Sequence, residues 1–309
     1  MTFFLPIFVG VGFLEFKLSK IENGYSRKRQ LIEDLAGQVE VLVLGNSQAY
    51  YDFLPEDFGR SGLNLALPSQ SLQIDQQLVD QFAERLKSLR LVVMSLSYFS
   101  FEYRLYGEVD DARLFFYPRH LSIAGDGGWL SHLDLRNWSL IATYGVNTTR
   151  EIVRSGFSYK QADAVGPRGG FLSSQSMSKG KPINDKVGRA RAEYHTSTLK
   201  KQYAPDCRAA ILQVWRWAQA RGIQLVLTQT PAHSVYRNHL DPDAVARFRQ
   251  NVEMIKAQTQ VPFFDFLKDE RFVEEDYFDP DHLNESGAHK FSQIFADEVV
   301  RPSLGHGRN

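Results

Sequence analysis

The 309-residue sequence is long enough for one large core, or for a core with a sizeable insertion, and its 43% hydrophobic and 23% charged residues are typical of a folded protein. Lys and Arg together number 36, as do Asp and Glu, so the chain has no basic excess of the kind that binding to phosphate backbones requires. We therefore expect no nucleic-acid partner. The single cysteine, Cys207, excludes an internal disulfide and has no cysteine partners for a structural zinc site.

The N-terminus carries a short apolar stretch. Residues 3–14 are almost wholly apolar, include Pro6, and are followed by the basic run 27–29. The stretch is shorter than the roughly 20 residues of a spanning helix and lacks the basic start and cleavage site of a secretory signal. We interpret residues 1–30 as an apolar membrane anchor with a basic linker. A signal-peptide remnant and an ordinary buried helix are the alternatives.

Short apolar strands alternate with helical stretches along the rest of the chain. Strands are predicted at 39–44, 63–66, 91–96, 223–228 and 261–266, and helices at 72–89, 209–220, 244–257 and 286–300. This alternation predicts an α/β domain over residues 31–309, with a central parallel sheet of about five strands between helices.

Residues 103–203 interrupt the alternation. They contain the Gly/Ser-rich stretch 166–180 and aromatic segments that include Trp129 and Trp138. A long insertion in a compact domain is often a lid or a binding wall, so we expect it near the active rim of the sheet. A solvated excursion without function is the alternative.

Ser47 directly follows the first predicted strand. Open parallel sheets place their ligands at this end, where the next helix directs its N-terminal N–H groups. A serine at this position can be a nucleophile beside an oxyanion site, and it can equally be a helix cap. The sequence around Ser47 is not the G-x-S-x-G elbow of the α/β-hydrolase fold.

Asp279 and His282 lie just before the last predicted helix, in the sequence DPDHLN. An aspartate three residues before a histidine can hold one ring nitrogen and leave the other free to accept a serine proton. The alternative is a helix cap formed by Asn284, with His282 packed beside it. Of the two aspartates, Asp279 is the expected partner, and Asp281 is expected to be solvated or bonded to the loop backbone.

These two elements together resemble the first and last sequence blocks of the SGNH (GDSL-like) hydrolase superfamily. The resemblance implies a flavodoxin-like SGNH fold, a catalytic triad of Ser47, Asp279 and His282, and no cofactor. The second block is matched by NLALPS, where Ser69 replaces the usual glycine of the oxyanion hole. The backbone N–H groups of Ser47 and Ser69 are therefore the expected oxyanion donors.

The third block of the family, normally G-x-N-D, should lie near residues 95–98, where its asparagine is absent. The expected replacement donor is Ser97, Asn46 or Gln48, and the last two are also candidates for substrate binding.

A third polar loop, TPAHSVY, follows the strand predicted at 223–228 and therefore lies on the same rim of a parallel sheet as Ser47. His233 and Tyr236 of this loop are candidate substrate-binding residues, with a solvated loop as the alternative. No metal site is expected, because the histidines lack ligand spacing and the segment 279–282 lacks further ligands.

The short apolar N-terminus and the motifs LGNS, TPAHSVY and DPDHLN look closest to the membrane-anchored SGNH-like proteins of bacterial envelope and exopolysaccharide systems. This resemblance implies an N-terminal anchor in the bacterial inner membrane and a domain facing the periplasm or the exterior. We give this resemblance more weight than the basic run after the apolar stretch. By the positive-inside tendency, that run favours a cytoplasmic domain.

We therefore expect a serine-dependent esterase or O-acyltransferase. Its substrate would be an acylated polysaccharide or a small acyl ester, and membrane-bound polysaccharide-modification proteins would be its partners. The alternative is a non-catalytic scaffold that binds polysaccharide or a synthase.

Overall fold

The computed structural model describes residues 5–157, 165–172 and 180–305. Its centre is a five-stranded parallel sheet in the order β2-β1-β3-β4-β5. The strands are β1 (Val41–Gly45), β2 (Gly62–Asn64), β3 (Leu91–Ser95), β4 (Gln224–Gln229) and β5 (Phe263–Asp265). The predicted α/β architecture with five parallel strands is confirmed, with strand ends shifted by up to two residues.

Both faces of the sheet are covered, because consecutive side chains of a strand point to opposite sides. Leu42 and Leu44 of β1 belong to the cluster that includes the helices on one face, whereas Val41 and Val43 belong to the cluster on the other face. Strands buried on both faces need apolar residues at every position, which explains the continuous runs in the sequence.

The helices that cover the first face are α2 (Gly24–Leu35), α4 (Leu72–Phe82), α9 (Ala204–Gln219) and α11 (Pro242–Thr259). The second face is covered by α3 (Ser47–Asp52), α12 (Glu285–Phe295) and α13 (Arg301–Leu304). The helix predicted at 72–89 ends earlier, in a 3-10 turn at Ala83–Arg85, and the helix predicted at 286–300 changes to a π-helix over Ala296–Val300.

The segment 103–203 is largely helical where it is described. It contains α5 (Phe116–Leu121), α6 (Gly128–Ser131), α7 (Leu140–Arg154) and α8 (Asp185–Ser197). Part of its Gly/Ser-rich stretch, residues 173–179, lies outside the described residues. The described part packs against the sheet edge, since Phe171 N–H donates to the Tyr50 carbonyl and Asn64 N–H to the Arg168 carbonyl.

The N-terminal apolar stretch forms helix α1 (Leu5–Leu18) from its first described residue. Residues 1–4 of the predicted anchor and linker lie outside the described residues. Over the described ranges, no helix combines the length and the apolar character needed to cross a bilayer.

Candidate active site

Ser47 is the first residue of α3, at the carboxyl end of β1. The turn between strand and helix requires Gly45, whose φ is 140° and whose added Cβ would lie 2.8 Å from the Ser95 carbonyl oxygen. Asn46 caps α3, because its side-chain oxygen accepts a hydrogen bond from Gln48 N–H. This tight turn places the Ser47 hydroxyl on the rim of the sheet.

His282 comes to the same rim on a short antiparallel hairpin, β6 (Tyr277–Asp279) and β7 (His282–Leu283). Its Nδ1 lies 2.9 and 3.0 Å from the two carboxylate oxygens of Asp279, and its Nε2 lies 2.9 Å from Ser47 Oγ. The three side chains therefore form one hydrogen-bonded chain, although 235 positions separate Ser47 from His282. Asn284 caps the following helix, α12, as the alternative interpretation of this segment predicted. The helix cap and the triad contacts are both present.

The charges around His282 favour its protonated form. Burial lowers the pKa of the imidazole, but the carboxylates of Asp279 and Asp281 outweigh this effect, so the pKa of His282 is raised above its ordinary value of 6.5. Burial opposes ionisation of Asp279, yet the neighbouring His282 and Arg191 hold the pKa of this carboxyl below its ordinary value. A carboxylate on Nδ1 selects the tautomer that leaves Nε2 available to Ser47.

Asp281 departs from the expectation of a solvated loop residue. It is completely buried, and both of its carboxylate oxygens accept from Nε of Arg191, at 2.9 and 3.1 Å. Its Oδ2 also lies 3.6 Å from Nε2 of His282. A buried carboxylate needs a charged partner, and the partner comes from helix α8, where no motif in the sequence indicates it.

A second buried carboxyl group, Asp52, supports the histidine hairpin from below. Its Oδ1 accepts a 2.8 Å hydrogen bond from Leu283 N–H, the residue after His282. Burial raises the pKa of Asp52 to about 8, against the opposing effects of His282 and the nearby Thr230 hydroxyl. No described group meets hydrogen-bond geometry with its Oδ2. Asp52 is therefore mainly protonated at neutral pH and links α3 to β7.

The triad opens into a cavity of about 360 Å³. Helix α8 and its C-cap form one wall with Arg191, Tyr194, His195 and Thr198, which follow the i, i+3, i+4, i+7 spacing of one helix face. These residues were not among those predicted for the site, although their spacing was a usable signal. The aromatic residues that line the cavity are Tyr51, Phe99, Tyr103, Tyr194 and Phe278.

A second cavity, of about 450 Å³, shares Asp110, Lys181, Arg191, Tyr194 and Asp279 with the first. The shared walls make the two cavities parts of one extended cleft. A cleft made of two cavities offers room for a substrate that is larger than a simple ester.

Ser69 lies where the oxyanion donor was expected, in the lining of the cavity. Its φ of 63° falls in the left-handed region that favours glycine, which is the residue usual at this position in the SGNH family. Its hydroxyl contacts Arg113 Nη1 at 3.0 Å and Asp110 Oδ2 at 3.2 Å. Among the described residues, the backbone N–H groups of Ser47 and Ser69 have no acceptor and so remain available to an oxyanion.

Of the three proposed replacement donors, only Asn46 lines the cavity. Its amide donates to Ser97 Oγ at 2.8 Å, which leaves its second N–H. Ser97 is buried behind it and donates its own hydroxyl proton to Gln48 Oε1 at 2.5 Å. Ser97 and Gln48 therefore support Asn46 rather than reach the cavity, which corrects their predicted positions.

His233 and Tyr236 do not line either cavity. His233 caps the short helix α10 (Ser234–Arg237), and its Nδ1 accepts from Val235 N–H. Tyr236 is buried, and its hydroxyl lies 2.6 Å from Nδ1 of His195. The loop is near the rim, as expected, but Tyr236 supports α8 from behind and His233 packs against Tyr277 instead of lining a cavity.

Asp279, Asp281 and His282 also lie close enough together to be tested as a metal-binding group. Both ring nitrogens of His282 already face partners, and Asp281 is paired with Arg191. The donor set therefore fits a proton-transfer chain better than a cation.

The sequence matches no protein-family model, and no curated protein is similar enough to count as a relative. Solved structures with a similar fold include a GDSL-like lipase from Bacteroides thetaiotaomicron, with 11% identity, a TM-score of 0.43, and coverage of 93% of this chain and 100% of that one. A protein described provisionally as a platelet activating factor, from Streptococcus pneumonia, has 12% identity, a TM-score of 0.41, and coverage of 94% and 95%. One described provisionally as a lipolytic protein of the G-D-S-L family, from Desulfitobacterium hafniense, has 11% identity, a TM-score of 0.36, and coverage of 84% and 98%. At these identities and TM-scores the similarity carries no inference about function, which must come from the geometry of the site itself.

Proposed function

We propose that this protein is a serine-dependent esterase or O-acyltransferase that works through an acyl-enzyme on Ser47. The observation that carries the proposal is the unbroken hydrogen-bonded chain from Ser47 Oγ through His282 to Asp279 at the floor of a cavity. Nucleophile, base and orienting carboxylate are each within hydrogen-bond reach of the next, as a serine mechanism requires.

In this mechanism His282 Nε2 accepts the proton of Ser47 Oγ while the oxygen attacks the ester carbonyl. The N–H groups of Ser47 and Ser69 stabilise the oxyanion, and each such donor is typically worth about 2.7–4 kcal/mol of barrier. The C–O bond to the leaving alcohol breaks, and His282 returns the proton to that alcohol. A second alcohol or water, deprotonated by His282, then attacks the acyl carbon, the bond from this carbon to Ser47 Oγ breaks, and His282 returns the proton to Ser47.

The substrate we propose is an acyl ester, most simply an acetyl ester, of a cell-envelope or exported polysaccharide. The extended cleft supports this choice, because it offers room beyond the ester itself. Its aromatic residues, such as Tyr194 and Phe99, have flat apolar surfaces suited to sugar rings. Water as the acceptor makes the protein an esterase, and a sugar hydroxyl makes it an acyltransferase.

The proposed setting is the outer side of a bacterial inner membrane, in the periplasm or at the cell exterior, where α1 anchors the chain near membrane-bound polysaccharide-modification proteins. The apolar character of α1 and the resemblance to envelope proteins support this setting. Protease accessibility in spheroplasts tests it, and recovery of the full chain only from the cytosol would contradict it.

A non-catalytic scaffold that binds polysaccharide is the second candidate. The observation that favours it concerns the side-chain oxyanion donor. The asparagine of the third block is absent from the sequence, and Ser97 does not reach the cavity. The intact chain of Ser47, His282 and Asp279 favours the enzyme.

Incubation of the full chain with an acetylated oligosaccharide, with and without an acceptor sugar, tests the proposal. We expect release or transfer of acetate by the wild type and neither reaction by Ser47→Ala. Binding of the oligosaccharide without acetate release or transfer would favour the scaffold. The ratio of free acetate to acetylated acceptor distinguishes hydrolysis from transfer.

A further inference from the structure

Helix α1 is mostly apolar, yet much of it is exposed. Apart from Glu15 and Lys17, its residues from Phe8 to Leu18 are apolar, and the exposed ones include Phe8, at 72%, together with Phe13 and Phe16. A helix with so many apolar residues is normally enclosed by protein or by lipid. The described residues enclose only part of it.

The same end of the molecule carries exposed residues from the insertion. The Glu15 carboxylate of α1 accepts from Ser139 Oγ at 2.5 Å and from Leu140 N–H at 2.8 Å, which fixes α1 to the N-terminus of α7. Trp138 is the residue just before this contact and is 78% exposed. Trp129 is 72% exposed, and its helix, α6, is tied to the 3-10 turn Leu135–Asn137 before Trp138 by the bond from Asn137 to the Ser131 carbonyl.

We propose that these residues form one membrane-contacting surface, in which α1 lies in the headgroup region of an anionic bilayer and the insertion adds a second contact through Trp129 and Trp138. We call it the apolar end, and it comprises Phe8, Phe13, Phe16, Trp129, Leu135 and Trp138. The proposal deepens the membrane setting proposed above, on which it rests, and does not depend on the proposed catalytic function.

The chemistry of the apolar end favours lipid over protein. Tryptophan is enriched at the headgroup level of bilayers because its ring is apolar and its N–H is polar. Lys17 and Lys20 follow the apolar residues, and their Nζ atoms lie 5.7 and 5.2 Å from the ring centres of Phe13 and Phe16. Such lysines bury their stems and direct the charge to phosphates, whereas the Glu15 carboxylate faces Ser139 and Leu140 of the insertion.

The contacts of α1 with the rest of the protein indicate how it lies. Glu15 is bonded to the N-terminus of α7 and Leu18 is buried in the core, so α1 is held against the surface of the domain. A helix parallel to the surface buries its apolar residues without having to cross. The insertion then has two roles, because the 128–157 part contacts lipid while α8 forms a wall of the cleft.

The four tryptophans make the test specific. Trp129 and Trp138 belong to the apolar end, whereas Trp215 and Trp217 are partly buried in α9, against the core. Two full-length variants, Trp215→Phe/Trp217→Phe and Trp129→Phe/Trp138→Phe, each retain one pair. Each is mixed with phosphatidylcholine vesicles that contain 25% phosphatidylglycerol and brominated acyl chains.

We expect strong quenching of Trp129 and Trp138 and little quenching of Trp215 and Trp217. Trp129→Ser/Trp138→Ser should weaken vesicle binding about tenfold or more in sedimentation, while the control Val273→Ser, at an exposed apolar residue away from this end, should not change it. Circular dichroism verifies folding of each variant.

Equal quenching of both pairs, or unchanged binding by Trp129→Ser/Trp138→Ser, would overturn the proposal. A second copy of the chain is the other possible occupant. Self-association in ultracentrifugation that depends on Trp129 and Trp138, without binding to vesicles, would also overturn it.

Discussion

Oδ2 of Asp281 lies 3.6 Å from Nε2 of His282, the nitrogen that also faces the serine hydroxyl. The histidine therefore has a carboxylate near each ring nitrogen, with Asp279 on Nδ1. Both negative charges favour the imidazolium and raise the pKa of His282 above 6.5. A base must be neutral to accept a proton, so this relationship determines the pH at which activity appears.

The first prediction concerns this pH dependence. We expect kcat/KM of the wild type to fall on the acid side with a midpoint above 6.5, because His282 becomes protonated there. Asp281→Asn removes one carboxylate and leaves Arg191 without its partner, and both changes lower the pKa of His282. The acid limb of the pH profile, which is the low-pH range where kcat/KM falls, should therefore move to lower pH in Asp281→Asn, as measured on an acetyl ester.

A matched control for this shift is Asp243→Asn, which changes an exposed aspartate in the first turn of α11. Its acid limb should coincide with that of the wild type. An acid limb of Asp281→Asn that stays in place or moves to higher pH would show that Asp281 does not act on His282.

The second prediction concerns Asp279, which orients the base. Asp279→Asn should reduce kcat strongly, by about 10⁴-fold if it behaves like other buried triad aspartates, because the amide favours the wrong tautomer of His282. The acid limb should also move to lower pH, since the charge that raises the histidine pKa is lost. Steady-state kinetics over a pH series measure both effects, and retention of more than a tenth of wild-type kcat would contradict the orienting role.

The third prediction concerns stability and Asp52. Because burial raises its pKa from 3.8 to about 8, its contribution to stability is fully present below the unfolded pKa and is lost as pH rises through about 8. Asp52→Asn stays neutral at every pH and keeps an oxygen that can accept from Leu283 N–H. The stability of the wild type relative to Asp52→Asn should therefore decline between pH 5 and pH 9.

Urea unfolding of the wild type and of Asp52→Asn at several pH values measures the difference between their free energies of unfolding. Groups that titrate in the same way in both proteins cancel in this difference. One pKa unit corresponds to about 1.4 kcal/mol, so the change across the range should exceed that value. A difference that is constant with pH would mean that Asp52 has the same pKa in the folded and unfolded chain.

The fourth prediction concerns the wall that α8 forms. Tyr194→Ala removes an aromatic ring from the region shared by the two cavities and leaves the three triad residues in place. We expect KM for an acetylated oligosaccharide to rise about tenfold, while kcat/KM for a small aryl ester changes less than threefold.

The matched control is Glu193→Ala, on the same helix and exposed outside the cleft, which should change neither value. Equal losses of Tyr194→Ala on the polymer and on the aryl ester would count against a role of α8 in recognising an extended substrate.

The sequence alone could predict the parts of the fold that depend on local patterns. Runs such as 91–96 indicated a strand because a strand buried on both faces must be apolar throughout. Asp279 and His282 could be paired because three positions of a short hairpin bring their side chains together. Ser47 could be placed on the same rim because parallel strands end at one edge of the sheet.

The remaining parts of the site depend on contacts between segments distant in sequence. Arg191 pairs with Asp281 across 90 positions, and nothing near either residue indicates the other. Tyr236 follows a strand on the correct rim, but α8 lies between it and the cavity. Ser97 was close in sequence to the expected donor, yet its hydroxyl is committed to Gln48.

The most direct test of the central claim is covalent labelling of the full-length protein with a fluorophosphonate, followed by peptide mapping and paired with kcat/KM on an acetyl ester. We predict that the label is found on Ser47, that Ser47→Ala and His282→Ala each abolish labelling and nearly all turnover, and that the double variant loses little more, since triad members act as one unit. Folded Ser47→Ala that retains a substantial fraction of wild-type activity, or a label found on another residue, would contradict the account.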